Sequence, residues 1–354
     1  MVEAAFVIPG DITLPTGGYA YDREVLALLP GLGLDIRHLE LPGGYPDPSE
    51  RDLARTAERI AGTPADAVLL IDGLAYGAMP ADLIDGFGRT IVALVHHPLC
   101  LEEGIAPARA DELRALETAA LARAARVVVT SPTTARTLAA DFGVSADRIT
   151  VAVPGTDPAA RAVGSKGADG KVALLAVGSV VPRKGYDVLV RALEIDAAAH
   201  RPDWTLRIVG AVDRSAATVE ALRNQIAAAG LGDRIEIAGP MPRDQLDRCY
   251  DRADVFVLSS HYEGYGMVLA EALARGLAIA TTTGGAAAET VPDGAALKVA
   301  PGDPVALQQA LRRLIDEPTL RGRLSDAAWA AGRTLPQWSD AAALIANTIK
   351  EARR

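Results

Sequence analysis

The sequence predicts an α/β protein built as two doubly wound, Rossmann-like parallel-sheet units joined by a hinge. Three observations predict it. The 354 residues exceed the roughly 100–200 of one ordinary domain, so two cores are expected. Short β-rich runs alternate with segments of helical period along both halves, which is the pattern of βα units. One long stretch, residues 154–170 (PGTDPAARAVGSKGADG), has no clear period and is dense in Gly, Pro and Asp, as a linker would be.

In the first half, strands are expected at 5–8, 35–39, 67–71, 90–95, 126–130 and 149–153, with helices such as 21–29, 49–61 and 111–124 between them. These strands are apolar nearly throughout, which fits parallel strands covered on both faces. Past the linker the alternation resumes. Strands are expected at 172–177, 205–209, 234–238 and 255–258, and helices at 186–194, 217–228, 243–250 and about 266–275. Short strands at 278–281 and 296–299 and helices from Pro304 onward complete this half. The expected domains are 1–160, 161–335 and a C-terminal segment 336–354. Open parallel sheets take ligands at the carboxyl ends of their strands, so two hinged units imply a cleft lined by strand-to-helix loops.

Composition narrows the function classes. Hydrophobic residues at 49% and charged residues at 23% suit a folded globular chain. A formal net charge of −9 argues against a broad nucleic-acid footprint. The apolar run at the N-terminus is too short for a signal peptide and carries Glu3, and no later run approaches the ~20 apolar residues of a spanning helix, so a cytoplasmic protein is expected. Cys100 and Cys249 lie far apart without zinc-like spacing and read as packing residues. No G-x-G-x-x-G follows a strand and no P-loop is present; Gly31 and Gly33 follow a helix and read as its stop.

The chemistry concentrates at 255–275, VFVLSSHYEGYGMVLAEALAR. A buried strand runs into a polar loop with His261, Glu263, Gly264 and Gly266, and then into a helix whose first amides point back at the strand ends. Unsatisfied N–H groups and the positive end of the helix dipole favour a phosphate there, and glycines let it approach the backbone. Glu263 and Glu271, eight residues apart, are placed to bracket a ligand instead of pairing with each other.

This segment resembles the E-x7-E signature of glycosyltransferase family 4 in the form EGYGMVLAE. The resemblance implies the GT-B fold and donor contacts from Gly264, Tyr265, Gly266, Met267, Val268 and Glu271, with Glu263 at the transferred sugar. It covers most of the chain. LLAVGSVVPRKGYDVLVRAL looks like the family's basic phosphate clamp, with Lys184 matching the donor-binding lysine. Where the family has Arg after the strand-end glycine this chain has Ser179 after Gly178, and Arg183 is the candidate substitute. IEIAGPMPRDQ is similar to the region under the nucleotide base, which implicates Pro240 and Met241, and TTTGGAAAETVPDG resembles the second Gly-rich loop, with Glu289 a donor contact. In the first half, VIPGDITLPTGGY implicates Gly17 and Gly18, and TIVALVHHPLCLEEG places His96, with His97 beside it, where the family has a histidine that reaches the donor sugar. Glu102, Glu103 and Glu117 are candidates to face the acceptor, but helix-surface roles are the expectation for all three. PQWSDAAALIANTIKEARR looks like the family's last helix crossing back to the first domain, with Trp338 a packing residue at the seam.

The implied activity is retaining transfer of a hexose from a UDP- or GDP-linked sugar to a saccharide, lipid or small-molecule acceptor. The sequence contains no Asp-x-Asp triplet, so no metal or other cofactor is expected; fixed charge from Lys184 and Arg183 and the helix near Gly266 would neutralise the diphosphate. A nucleotide-sugar epimerase, a catalytically silent nucleotide-sugar binder and a hinge-bending solute-binding protein stay open as alternatives, as do a peripheral membrane contact and the oligomeric state.

Overall fold

The computed structural model describes residues 2–165, 170–199 and 204–353, so positions 166–169 of the expected linker lie outside it. The chain divides into two compact units: the residues up to Gly155 together with those from Pro336 onward, and Thr156–Leu335.

The first unit runs β1 (Val2–Pro9), α1 (Gly17–Leu28), β2 (Leu34–Leu41), α2 (Glu50–Ala61), β3 (Val68–Asp72) and two short helices, α3 (Gly73–Tyr76) and α4 (Ala81–Gly86). It continues through β4 (Ile91–Val95), α5 (Pro107–Arg123), β5 (Arg126–Val129), α6 (Pro132–Asp141) and β6 (Ile149–Val151). The second unit comprises β7 (Val172–Val177), α7 (Tyr186–Ala199), β8 (Trp204–Val209), α8 (Ala216–Ala228), β9 (Ile235–Gly239), α9 (Arg243–Arg252) and β10 (Val255–Leu258). There follow α10 (Met267–Ala274), β11 (Ala278–Thr282), α11 (Ala287–Thr290), β12 (Ala296–Val299), α12 (Pro304–Asp316) and α13 (Pro318–Gly332). The last helix, α14 (Trp338–Ala352), belongs to the first unit.

Each unit holds one six-stranded sheet, ordered β2-β1-β3-β4-β5-β6 and β12-β11-β10-β7-β8-β9, with every strand pair parallel. The central strands β3, β4 and β10 are buried at every residue, because helices cover both faces. Their Val, Ile and Leu side chains are stiff, fill a pleated surface well, and contribute about 1.5–3 kcal/mol each when fully buried. Strand order reverses between β1 and β3 in one sheet and between β7 and β10 in the other. At such a reversal successive crossovers go to opposite faces and leave a crevice beyond the strand ends.

Local capping sets several helix starts. Thr16 Oγ accepts from Tyr19 N at 3.1 Å, so Gly17 and Gly18 form the first turn of α1. Gly33 adopts a left-handed conformation (φ +83°) after the 3₁₀ turn Leu29–Leu32, which is the helix stop read from PGLGLD. Trp338 opens α14 against Gly155, where an added Cβ would lie 2.1 Å from the Trp338 amide nitrogen, and its ring meets the edge of Tyr21 at 5.8 Å. Helices α3, α4 and α6 are too short or too polar to stand out in the sequence. No described helix is long and apolar enough to cross a membrane.

Candidate active site

In the second unit the strand reversal brings together the loops after β7 and β10. Lys184 Nζ donates to Glu263 Oε1 at 2.6 Å, Ser260 Oγ donates to the same oxygen at 2.6 Å, and Arg183 Nη1 lies 3.5 Å from it. Arg183 also donates to the Tyr262 carbonyl at 2.7 Å. Glu263 is only 6% exposed. Burial alone would raise its carboxyl, but the charges of Lys184 and Arg183 and the hydrogen bonds from Lys184 and Ser260 outweigh it and hold the group down to about 2. The carboxylate is therefore ionised at every physiological pH.

Backbone geometry explains the glycines. Gly266, at φ +88°, caps α10 in a left-handed conformation that turns the loop into the helix. Glu263 pairs with Gly285 in an isolated parallel bridge, with Glu263 N donating to the Gly284 carbonyl at 3.2 Å and Ala286 N to the Glu263 carbonyl at 2.8 Å. The second Gly-rich loop thus supports the Glu263 backbone. Gly264, Tyr265, Met267 and Val268 are half-buried around this turn.

Glu271, on α10, has its own partners: Arg243 Nη1 and Tyr250 Oη each donate to it at 2.8 Å. The two carboxylates of the motif therefore do not pair with each other. Pro240 is exposed at the end of β9, Met241 is half-buried on the Tyr250 cluster, and Glu289 is exposed in the first turn of α11. Arg183 converges on the same carboxylate as Lys184.

In the first unit His96 follows β4 directly, and the side chains around it come from elements on both sides of the reversal. His96 Nε2 lies 3.2 Å from Asp22 Oδ1, on α1, and 3.6 Å from Asp72 Oδ2, at the end of β3. Gly18 lies close beside the ring, where a Cβ would meet His96 Cδ2 at 3.3 Å, while the Gly17 position is open. His97 instead pairs with Glu102 at 3.0 Å. Among the described residues, Asp22, Asp72 and His96 form a group whose nitrogen and carboxylate oxygens lie within 4.8 Å of one another.

Neither aspartate is among the site residues expected from the sequence. Their signals are a charged residue ending an apolar strand, VLLID, and an acid one helical turn beyond Gly18.

The helix-surface role expected for three glutamates fails in two ways: Glu102 and Glu103 are at the surface but in the turn before α5, not on a helix, and Glu117 is on α5 but only 1% exposed. Its Oε2 accepts from Leu99 N at 2.9 Å while Oε1 is buried without a partner. Burial pushes this carboxyl up to about 8, against the pull of the Leu99 amide and Arg114. Because the folded state keeps this proton between its ordinary 4.5 and about 8, the stability it contributes is complete below 4.5 and is lost as pH rises toward 8. Glu117→Gln is accordingly expected to be near neutral at pH 5 and to stabilise the protein by about 1–3 kcal/mol at pH 8.5. Urea unfolding at the two pH values checks this; equal effects at both would show that Glu117 is ionised when buried.

A family model described as glycosyl transferases group 1 matches residues 162–330, and one described as glycosyl transferase 4-like domain matches residues 6–155. The D-inositol 3-phosphate glycosyltransferase of Acidothermus cellulolyticus is 37% identical over 218 residues, which are 58% of this chain and 48% of that protein. The chain spans about half the length of the curated relatives it matches. Sucrose-phosphate synthase from Thermosynechococcus elongatus shares the fold at a TM-score of 0.81 and 21% identity, over 98% of both chains. Anabaena HepE, solved with UDP and glucose, shares it at a TM-score of 0.76 and 17% identity, over 98% of this chain and 100% of HepE. With two such sheets, the E-x7-E loop opening α10 and both family models matched in sequence order, the chain belongs to glycosyltransferase family 4 of the GT-B fold.

Proposed function

We propose that the protein transfers a hexose from a UDP- or GDP-linked sugar, with retention of anomeric configuration and without a metal ion. The observation that carries this reading is the convergence of Lys184, Arg183 and Ser260 on the buried carboxylate of Glu263 at the β7/β10 crevice. Lys184 sets a three-donor ammonium at this crevice, a compact positive charge of the kind that binds a diphosphate. The amides at the start of α10 supply further donors. Such fixed positive groups neutralise a departing diphosphate as a divalent cation would.

Glu263, held ionised, acts as an acceptor for sugar hydroxyls and as a negative charge beside an oxocarbenium-like transition state, not as a general acid. The leaving phosphate then deprotonates the acceptor. Glu271, fixed by Arg243 and Tyr250, is assigned to the ribose, and Pro240 and Met241 to the base. The curated relative is named for a phosphorylated polyol acceptor, which favours a small phosphorylated acceptor over a lipid or a growing polysaccharide.

A panel of nucleotide sugars in a thermal-shift assay tests donor binding, because a ligand at 100 times its Kd stabilises the folded state by about 2.7 kcal/mol. UDP- or GDP-sugars are expected to raise Tm equally with EDTA or manganese present, and transfer to a phosphorylated polyol is expected to survive EDTA. Turnover abolished by EDTA and restored by manganese or magnesium would sink the metal-independent mechanism.

A further inference from the structure

Two buried acids that the donor chemistry does not use lie against His96. Asp22 is 0% and Asp72 is 2% exposed, and both reach the same ring nitrogen, Nε2. Two carboxylates this close and this dry cannot both stay charged against a neutral imidazole, since burial and mutual repulsion each disfavour the second charge. An imidazolium cancels one of them, and one further proton cancels the other.

The surroundings show where that proton goes. Asp72 caps α3, accepting from Leu74 N at 2.6 Å, so its negative charge is stabilised by a backbone donor. Asp22 has no such donor, and its Oδ2 is buried without a hydrogen-bond partner. We infer that Asp22 and Asp72 hold one proton between them, mainly on Asp22, and fix His96 as an imidazolium, which meets a bound ligand as a donor through Nδ1–H and never as a base.

The other polar and titratable groups facing the ring do not disturb this charge balance. From α1, Tyr21 sets its ring edge-on at 5.3 Å and spends its hydroxyl on the Ala152 carbonyl at 2.9 Å. Just past β5, Thr130 Oγ donates to the His96 carbonyl at 3.1 Å. On the same segment His97 is paired with Glu102. The directions of the three pKa shifts agree. Burial pulls His96 down, but Asp22 and Asp72, by charge and by hydrogen bonding, lift the imidazolium above the ordinary histidine range; once Asp22 takes the shared proton, the charge of Asp72 and the hydrogen bonds to both acids sustain that lift. Burial and the Asp72 charge push Asp22 up to about 8, whereas Asp72, despite burial, is held below the ordinary range by His96, Asp22 and Leu74 N.

The His96 ring is 21% exposed, and with Nε2 committed to the acids the remaining donor is Nδ1–H. The ligand it selects carries an oxygen lone pair, as a sugar hydroxyl or a phosphate does. That half of the inference rests on the proposed transferase reading; the protonation state does not. Asp22 and Asp72 are positioning residues in this scheme.

Histidine-selective ¹⁵N labelling of the whole protein, with His96→Gln to assign its signal, reads the protonation directly between pH 5 and 9. Both ring nitrogens of His96 are expected to stay protonated throughout, and in Asp22→Asn as well, because asparagine imitates a protonated Asp22. In the double Asn variant the midpoint should fall by at least about two pH units, below an ordinary histidine, since only burial then acts on the ring. Wild-type His96 titrating between about pH 6 and 7.5 would overturn the inference without recourse to any variant. So would loss of a ring proton on adding one equivalent of zinc, which would mean that a cation takes the proton's place. A permanently charged His96 in a protein that transfers no sugar would count against the transferase reading alone.

Discussion

Glu263→Gln is expected to lower kcat by about 10²–10³-fold while the protein stays folded, the usual loss when one preorganised electrostatic group is removed from a transition state. Glutamine keeps the shape and an acceptor oxygen for Lys184 and Ser260 but removes the charge that faces the sugar. Alanine is the wrong probe. Both variants leave the charges of Lys184 and Arg183 without their counter-charge, but alanine also strips the acceptor from Lys184 and Ser260 and empties the space, and deleting a whole partner of a buried ion pair costs about 3–5 kcal/mol. A dead alanine variant would therefore report on folding as much as on chemistry. Glu271→Gln supplies the contrast: its partners Arg243 and Tyr250 stay in place, so donor KM is expected to rise about tenfold with kcat little changed. Near-normal turnover in folded Glu263→Gln would remove this carboxylate from the reaction.

The asymmetry between what the sequence displayed and what it concealed has a physical basis. The central strands were legible because parallel strands covered on both faces must be apolar throughout, and EGYGMVLAE stood out because a strand, a glycine turn and a helix start follow within a few residues. Lys184 was legible through the same local order. Its partnership with Ser260 and Glu263 was not, because it spans some 79 positions and depends on the strand order β10-β7.

The two aspartates at His96 were hidden for a similar reason. Each looks like an ordinary polar residue in its own segment, and only the reversal between β1 and β3 carries them to one nitrogen. Glu117 was misread as surface because α5 offers little contrast between its faces: charged and apolar residues are mixed around PARADELRALETAALAR, and periodicity cannot mark one buried acid there. Arg183 shows the limit of motif matching. The family position holds Ser179, yet Arg183, four residues on in a loop that turns at Gly185, lies 3.5 Å from the Glu263 carboxylate.

That turn sets the last expectation. Gly185→Ala should destabilise the second unit by about 2–5 kcal/mol, summing a left-handed alanine at about 1–2 kcal/mol and the overpacking of about 1–3 kcal/mol. Its backbone sits at φ +58°, and an added Cβ would lie 2.3 Å from the Ser259 carbonyl oxygen. Neither segment has room to give way. Ser259 Oγ donates to the Lys184 carbonyl at 2.9 Å and His261 N to the Arg183 carbonyl at 2.8 Å, so the clamp loop and the loop that carries Glu263 are stitched together on both sides of the clash. Relief therefore has to displace Lys184, and a shift near 1 Å in such a group costs on the order of 10²-fold in kcat/KM. Gly232→Ala is the control: it lies in the same unit with nothing within 4 Å of its added Cβ, and should leave Tm and kcat/KM close to the parent. Should Gly185→Ala instead unfold and turn over like the parent, the clamp would have to be soft, and a preformed Lys184–Glu263 pair could no longer be the basis of the chemistry.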